Sequence, residues 1–543
     1  MSTISWDGHK LKLEAGKTLF DYADEFQVRL PTSCGREGSC HECIVEVKEG
    51  MNSISALNSN ESFLSENYRL ACQATVCNNS ENISFAPLRR RPQILTEAIP
   101  LQSMAIDPLV IKAGEKVLYE GQVLDKYRGR LLGLAIDLGT TTVVIELVDL
   151  EQGNTLAIAS FENPQRFGGS DIMHRISYDG GPFQGELHQA IIKGLNHEVR
   201  EICKRLGFRR QEIYEVVVAG NSTMRDLFFN IDVQSIGQKP YKSLIENEML
   251  EGKRESTSLI VEAKELGVHV HPQARIFGMP LIASHVGADT LADLIAINME
   301  QKNEVIMLVD VGTNTEVLVG HAGRMMTASC PAGPAFEGGL IKHGMPGCEG
   351  AIESVRTVDG RIEYQTIGDV TPQGICGSGL IDLLAELRRE NRMTPKGVFD
   401  NKAYELSVVP EHGITFSRED ASNLAQAKAA NYCGQFIVMR KFGIDASKIN
   451  TLYLAGGFAN YVDVTNAIEI GFLAPVAEEK IIKVGNASIQ GAKAVLLSKE
   501  RRNSIEQLVR NIEHVELETT PDFFEIFVEG CQFKPMPRAN FEL

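Results

Sequence analysis

Leu134-Ala135-Ile136-Asp137-Leu138-Gly139-Thr140-Thr141-Thr142 returns 173 residues later as Leu308-Val309-Asp310-Val311-Gly312-Thr313-Asn314-Thr315. In both copies an apolar run leads into Asp-x-Gly-Thr-x-Thr and then into a second β-rich run. From Leu131 onward, buried-strand runs alternate with helical periodicity, the pattern of an α/β fold. A repeat of this length is not a short-period solenoid. It predicts two similar α/β subdomains, about 131–300 and 301–500, with a C-terminal extension over 501–543.

A turn of this composition at the end of a buried strand suits a phosphate. Gly139 lets the backbone come close, and Thr140, Thr141 and Thr142 offer hydroxyl and amide donors. Asp137, at the strand end, can orient a Mg²⁺ ion or one of its waters. Asp310, Gly312, Thr313, Asn314 and Thr315 offer the same set from the opposite side. Downstream, Gly377-Ser378-Gly379 and Gly456-Gly457 each place a glycine turn beside an apolar run, where the backbone can approach an adenine or ribose. There is no G-x-x-x-x-G-K-[ST]. One Asp-x-Gly-Thr turn reads equally well as an ordinary hairpin. Two, followed in order by two glycine turns, predict Mg·ATP binding.

The N-terminal region carries a different chemistry. Five of the eleven cysteines fall between Cys34 and Cys77. Cys34-Gly35-Arg36-Glu37-Gly38-Ser39-Cys40-His41-Glu42-Cys43 is a glycine-bearing loop with three thiols, and Cys72 follows after 28 residues. A two-iron cluster needs four thiolates, three of them from one wrapping loop. Cys34, Cys40, Cys43 and Cys72 supply that set, with Cys77 to spare. A zinc ribbon wants a second C-x2-C or paired histidines, and only the C-x4-C of Cys72 and Cys77 is near. The sequence therefore predicts a plant-type [2Fe–2S] ferredoxin domain over 1–86, of β-grasp fold, although its first cysteine interval is one residue longer than the plant-type spacing. Asp7-Gly8 is expected to turn a hairpin, Leu19–Phe26 to be helical and Ile44–Val47 to be a strand. Residues 87–130, with Arg89-Arg90-Arg91-Pro92, read as a linker and small middle segment.

Composition bounds the partners. The 543 residues are 43% hydrophobic and 23% charged, the balance of a soluble multidomain protein. A formal charge of −17 opposes general affinity for nucleic acid or anionic membrane. No secretory leader or apolar stretch of membrane-spanning length is present, so a cytoplasmic location is expected. The six scattered cysteines read as ordinary buried thiols.

The two Asp-x-Gly-Thr hairpins and the glycine turns resemble the acetate and sugar kinase, Hsp70 and actin superfamily, over roughly 131–500. Together with the N-terminal cluster, the chain is similar to the reductive activators of corrinoid proteins. Val218–Met224, His285–Asp289 and Ser329–Gly339 add to that likeness. The resemblance implies a multidomain α+β and α/β architecture: a β-grasp [2Fe–2S] ferredoxin fold, then a duplicated actin-like ATPase fold. It implies an ATP-hydrolysing iron-sulfur enzyme that returns Co(II) to Co(I) in the corrinoid protein of a methyltransferase system, fed by a low-potential electron donor. It allows a homodimer.

Two expectations concern single residues. Ser329, in the Ser329–Gly339 loop, is read either as facing the corrinoid partner or as part of a loop closing the nucleotide cleft. Asp289 is read as a solvated helix-face carboxylate or as a water-activating base; His285 and His343 read as structural. Three other readings stay open: an activator of a radical dehydratase or reductase, a nucleotide-gated electron carrier, and a small-molecule kinase fused to a ferredoxin.

Overall fold

The computed structural model describes residues 2–6, 9–28, 30–64, 67–88, 105–400, 402–457 and 459–538. The Asp7-Gly8 turn, the Arg89–Pro92 stretch and Phe458 lie outside them. Strands β1 (Thr3–Trp6) and β2 (His9–Lys12) pair antiparallel, with Trp6 opposite His9. β3 (Ile44–Glu49), β4 (Tyr68–Leu70) and β5 (Ile83–Pro87) complete a sheet of order β2-β1-β5-β3-β4, in which β1 and β5 run parallel. The helix Leu19–Glu25 packs on it, capped by Thr18, whose side chain accepts from the Asp21 amide while Asp21 reaches back to the Thr18 amide. This is a β-grasp fold.

Residues 105–130 carry strands of their own. β6 (Val110–Ala113), β7 (Lys116–Tyr119) and β8 (Gln122–Lys126) form a meander. Its apolar residues Leu109, Val110, Val117 and Tyr119 share one core with Leu131, Val144 and Tyr214.

The two halves that follow have one topology. In the first, β9 (Leu132–Leu138), β10 (Thr142–Asp149) and β11 (Thr155–Glu162) form an antiparallel meander. β12 (Ile213–Gly220) and β14 (Arg275–Gly278) then add parallel to β9, and β13 (Leu259–Glu262) closes the edge. In the second, β15 (Ile306–Val311), β16 (Thr315–His321) and β17 (Arg324–Cys330) repeat the meander. Small sheets of β18 (Ala351–Val358), β19 (Arg361–Thr366) and β20 (Gly374–Ile375), and of β21 (Glu405–Val409) and β22 (Ile414–Ser417), are inserted next. β23 (Thr451–Ala455) and β24 (Ile481–Gly485) then add parallel to β15, and β25 (Ile512–His514) to β17. This is the duplicated actin-like fold.

Burial explains why the sequence echo was visible. β9 is buried at every position but Asp137, and β15 at every position but Asp310. The one polar residue in each strand stands where the strand leaves the core. The segment after residue 500 is no appendage. Ile505 and Leu508 join the core beneath the first sheet, and Arg440 forks onto Asp522 with two bonds of 2.7 Å, tying the helix Arg418–Phe442 to the start of the helix Phe523–Gly530.

The ferredoxin domain packs on the first half. The Tyr178 hydroxyl donates to the Phe63 carbonyl at 2.6 Å, His41 Nδ1 lies 3.2 Å from Glu186 Oε2, and the Phe63 ring meets Phe167 edge-on.

Candidate functional site

The two hairpin tips face each other across a cleft of about 1300 Å³, its open mouth included. The first tip is braced from behind. Asn163 donates to the Gly139 carbonyl at 2.8 Å, Arg175 to the Thr140 carbonyl at 2.7 Å, and Asn221 to the Thr140 hydroxyl at 3.0 Å. The tips meet at Thr141 and Thr313, whose hydroxyl oxygens are 3.1 Å apart.

Gly139, Thr140, Thr141, Thr142, Gly312, Thr313, Asn314, Gly377, Ser378, Gly456 and Gly457 all line the cleft. Thr315 is buried in β16 and Gly379 packs inward; a Cβ there would lie 2.3 Å from the Ile352 carbonyl oxygen. Gly456 has φ of +108°, and its Cβ would lie 2.1 Å from the Val311 carbonyl, so only glycine lets β23 end this close to β15.

Carboxylates concentrate on one side of the cleft. Asp137 accepts from Asn486 at 2.8 Å and Ser488 at 3.1 Å, and burial lifts its pKa to about 6. Asp289 is not a solvated helix-face residue: it lines the cleft, and burial with the charge of Asp310 pushes it up to about 7. Asp293, one turn along the helix Ala288–Ala296, is held well above the ordinary range by burial and by Asp310. Neither of its oxygens has a hydrogen-bond donor among the described residues. Burial raises Asp310 as well, and Glu316, opposite it in register, is raised by burial, Asp289 and Asp310. Mutually repelling carboxylates with orphaned oxygens fit a hydrated divalent cation that also holds phosphates.

Ser329, half-buried in β17 opposite Glu316, donates to Glu316 Oε1 at 2.9 Å. The rest of its loop turns into the cleft, where Phe336 and Glu337 form part of the wall. Of the lone histidines, the His285 ring lies 6.4 Å from that of His514 and outside the cleft lining; His343 carries a buried Nε2 with no hydrogen-bond partner among the described residues. Sequence reading missed Asp293, Glu316, Glu337, Asn486 and Ser488. Two of them carried a local signal: Asp293, four residues after Asp289 and so on the same helix face, and Glu337, inside the Ser329–Gly339 stretch read as closing the cleft.

The four cluster thiols stand as two pairs. Cys43 and Cys72 are 3.4 Å apart, and the second thiol accepts from the first. Cys34 is opposed by burial but held down at about 6 by hydrogen bonds from the Cys40 thiol and from the amides of Cys40, Gly38 and Glu37. Gln73 donates to the Cys72 sulfur at 3.4 Å. Gly38 has φ of +87°, and a Cβ there would lie 2.9 Å from the Asn60 and Gln73 side chains. Two thiol pairs with amides aimed at sulfur fit a two-iron cluster, since each iron takes two cysteines and N–H donors stabilise its reduced charge. Cys77 is exposed, with its sulfur 3.6 Å from the Thr75 carbonyl.

Among the described residues no helix is long and apolar enough to cross a membrane. Residues 4–77 match the 2Fe-2S iron-sulfur cluster binding domain, 132–302 the RACo middle region, and 304–542 the C-terminal, ASKHA domain of RACo. The corrinoid activation enzyme RamQ of Eubacterium limosum is 30% identical, with 92% of this chain and 93% of that protein covered. A Co(II) methylated amine-specific corrinoid protein reductase of Methanosarcina barkeri is 24% identical, with 73% and 76% covered. The solved structure of a reductive activator for corrinoid, iron-sulfur protein superposes with a TM-score of 0.71 at 27% identity, covering 98% of each chain.

Proposed function

The chain belongs to the RACo family, and from that membership we propose that it is the ATP-dependent reductive activator of a corrinoid protein, returning inactive Co(II) to Co(I) for methyl transfer. When bound, the [2Fe–2S] cluster supplies a one-electron couple of low potential, near about −400 mV for plant-type centres. Cys34, Cys40, Cys43 and Cys72 would hold it, and the amides of Glu37, Gly38 and Cys40 would stabilise its added charge. In the cleft, Thr140–Thr142 and Thr313–Asn314 grip the phosphates. Asp137 and Asp310, with Asp289 and Asp293 beside them, hold the hydrated Mg²⁺. Gly377, Ser378, Gly456 and Gly457 lie against the nucleoside. Ser329 serves the site indirectly, by fixing Glu316.

The observation that carries this reading is the joining, on one chain, of a four-thiol set and a two-hairpin cleft across almost the full length of a corrinoid activation enzyme. The partner is the corrinoid protein of a methyltransferase system. A low-potential donor refills the cluster in the cytoplasm, and the active unit is a homodimer.

The test mixes reductant, this protein and a Co(II) corrinoid protein and follows the Co(II) spectrum on adding ATP. The spectrum decays only with ATP. Cys34→Ser abolishes the decay with ATP binding intact, and Asp137→Ala abolishes it with the cluster intact. Reduction that proceeds equally without ATP overturns the proposal.

A further inference from the structure

One carboxylate of the cleft stands apart from the acidic group. Glu337 ends the short turn Pro334–Glu337, whose Phe336 ring is anchored edge-on against Phe472 at 4.9 Å. Its exit is also fixed. Gly338 has φ of +90°, and a Cβ there would lie 2.4 Å from the Met345 backbone nitrogen. Glu337 Oε2 accepts from the Thr141 hydroxyl at 3.2 Å and from the Thr313 hydroxyl at 2.5 Å. A single oxygen thus joins the tips of both phosphate hairpins. Its partner oxygen, Oε1, makes no hydrogen bond among the described residues, and the side chain faces the cleft.

The other carboxylates of the cleft stand differently: none of them bonds to both hairpin tips, and Glu353 feels burial and Asp369 instead. Both oxygens of Asp137 are occupied by Asn486 and Ser488. Asp289, Asp293 and Glu316 each feel Asp310, whereas Glu337 is raised by burial and opposed only by its two threonines. A phosphate chain gripped by both hairpins places its terminal phosphorus between their tips, and Glu337 is the carboxylate at that point.

Resting on the reading of the cleft as an Mg·ATP site, we infer that Glu337 orients the hydrolytic water and accepts its proton. The water oxygen bonds to the γ-phosphorus as the bond from that phosphorus to the β–γ bridging oxygen breaks. One water proton passes to Glu337 Oε1, ADP and inorganic phosphate form, and the carboxyl returns its proton to solvent on product release. Phosphoryl transfer draws mainly on positioning and electrostatics, with general-base help of about 10²–10⁴-fold. The step assigns to Glu337 the base role that sequence alone offered to Asp289.

The rival role is that of a space-filler, a carboxylate standing where the γ-phosphate goes and yielding to it. Steady-state phosphate release and ATP titration of the full chain separate the two. Glu337→Gln keeps an acceptor for both threonines, and Glu337→Asp keeps the charge but withdraws it by one methylene. As a base, Glu337 predicts that both variants lose kcat, Gln by about 100-fold or more. ATP affinity stays within about threefold, and the acid limb of the wild-type pH–rate profile disappears in Gln. Unchanged kcat with tighter ATP binding identifies a space-filler and overturns the inference, as does a loss confined to ATP affinity. Wild-type protein that neither hydrolyses ATP nor drives corrinoid reduction overturns the functional reading instead.

Discussion

The Arg175 guanidinium donates to the Thr140 carbonyl at 2.7 Å, so the first phosphate hairpin is held from beneath by a buried cation. Arg175 lies in the helix Ile172–Asp179, and three residues along that helix Tyr178 donates to the Phe63 carbonyl of the ferredoxin domain. The Phe63 ring in turn stacks on His41, centroids 4.1 Å apart, between Cys40 and Cys43. A helix of two turns therefore touches the nucleotide hairpin at one residue and the support of the cluster loop at another.

Arg175→Met is expected to loosen the hairpin. The change strands the carbonyls of Thr140 and Gly169, both acceptors of that guanidinium. Burial already holds the Arg175 pKa down at about 9, so part of the loss is offset by removing an ill-solvated charge. The net cost is about 1–3 kcal/mol in denaturant unfolding, with ATP bound about tenfold more weakly by calorimetry. Wild-type ATP affinity in this variant would show that the contact does not support the hairpin.

Tyr178→Phe makes the complementary change. It keeps the ring contacts to Phe167 and Phe183 and removes one hydroxyl bond. Expected are a stability loss of about 1 kcal/mol, unchanged ATP affinity and faster amide exchange in 60–64. ATP-dependent corrinoid reduction slows while ATP-independent reduction of a small dye does not. If both rates are unchanged, the helix carries no coupling.

The thiols divide cleanly. Cys43→Ser removes one member of the 3.4 Å pair and is expected to abolish the visible absorption and the EPR signal of the reduced cluster, with ATP hydrolysis retained. Cys77→Ser, altering an exposed thiol, leaves both signals intact. Loss of the signal in Cys77→Ser alone would reassign the ligand set.

Much of this was legible because the informative residues are neighbours in sequence. Asp137–Thr142 and Asp310–Thr315 each sit in one strand-turn-strand unit, and the Cys34–Cys43 loop declares its chemistry in ten residues. Asn486 and Ser488 were not legible as site residues because tertiary contact alone brings them to the cleft, and Glu337 was visible only as one member of the Ser329–Gly339 stretch, with nothing local to single it out. Residues 105–130 were unreadable for another reason. β8 is exposed or only half-buried along its length, so its alternation carries little hydrophobic contrast, and what fixes the meander is the core beneath β10. Ser329 was placed in a loop because a serine in a Gly/Pro-flanked run looks like one, whereas it is the penultimate residue of β17.

Lys428 supplies a test of how the C-terminal segment is docked. It is fully buried on the helix Arg418–Phe442, and its ammonium donates to the Gln532 carbonyl at 2.8 Å. Burial pulls its pKa down to about 7, against the small opposing pull of Cys531, Glu529 and Cys433, while Lys534 adds to the depression. In the unfolded chain a lysine titrates near about 10.4. Between those values the unfolded state binds a proton that the folded state lacks, so stability rises with pH from about 7 toward about 10. Below pH 7 the charge is retained in both states and its burial cost is felt in full. Lys428→Met, of similar length and without charge, is expected to lose this rise, which is bounded by about 1.4 kcal/mol per pH unit. The check is urea unfolding of both proteins at pH 7, 8, 9 and 10, taken as a difference so that titrations common to both cancel. The wild-type minus variant stability climbs across the series; a flat difference would mean that Lys428 stays charged in the fold, satisfied by the Gln532 carbonyl and its neighbours.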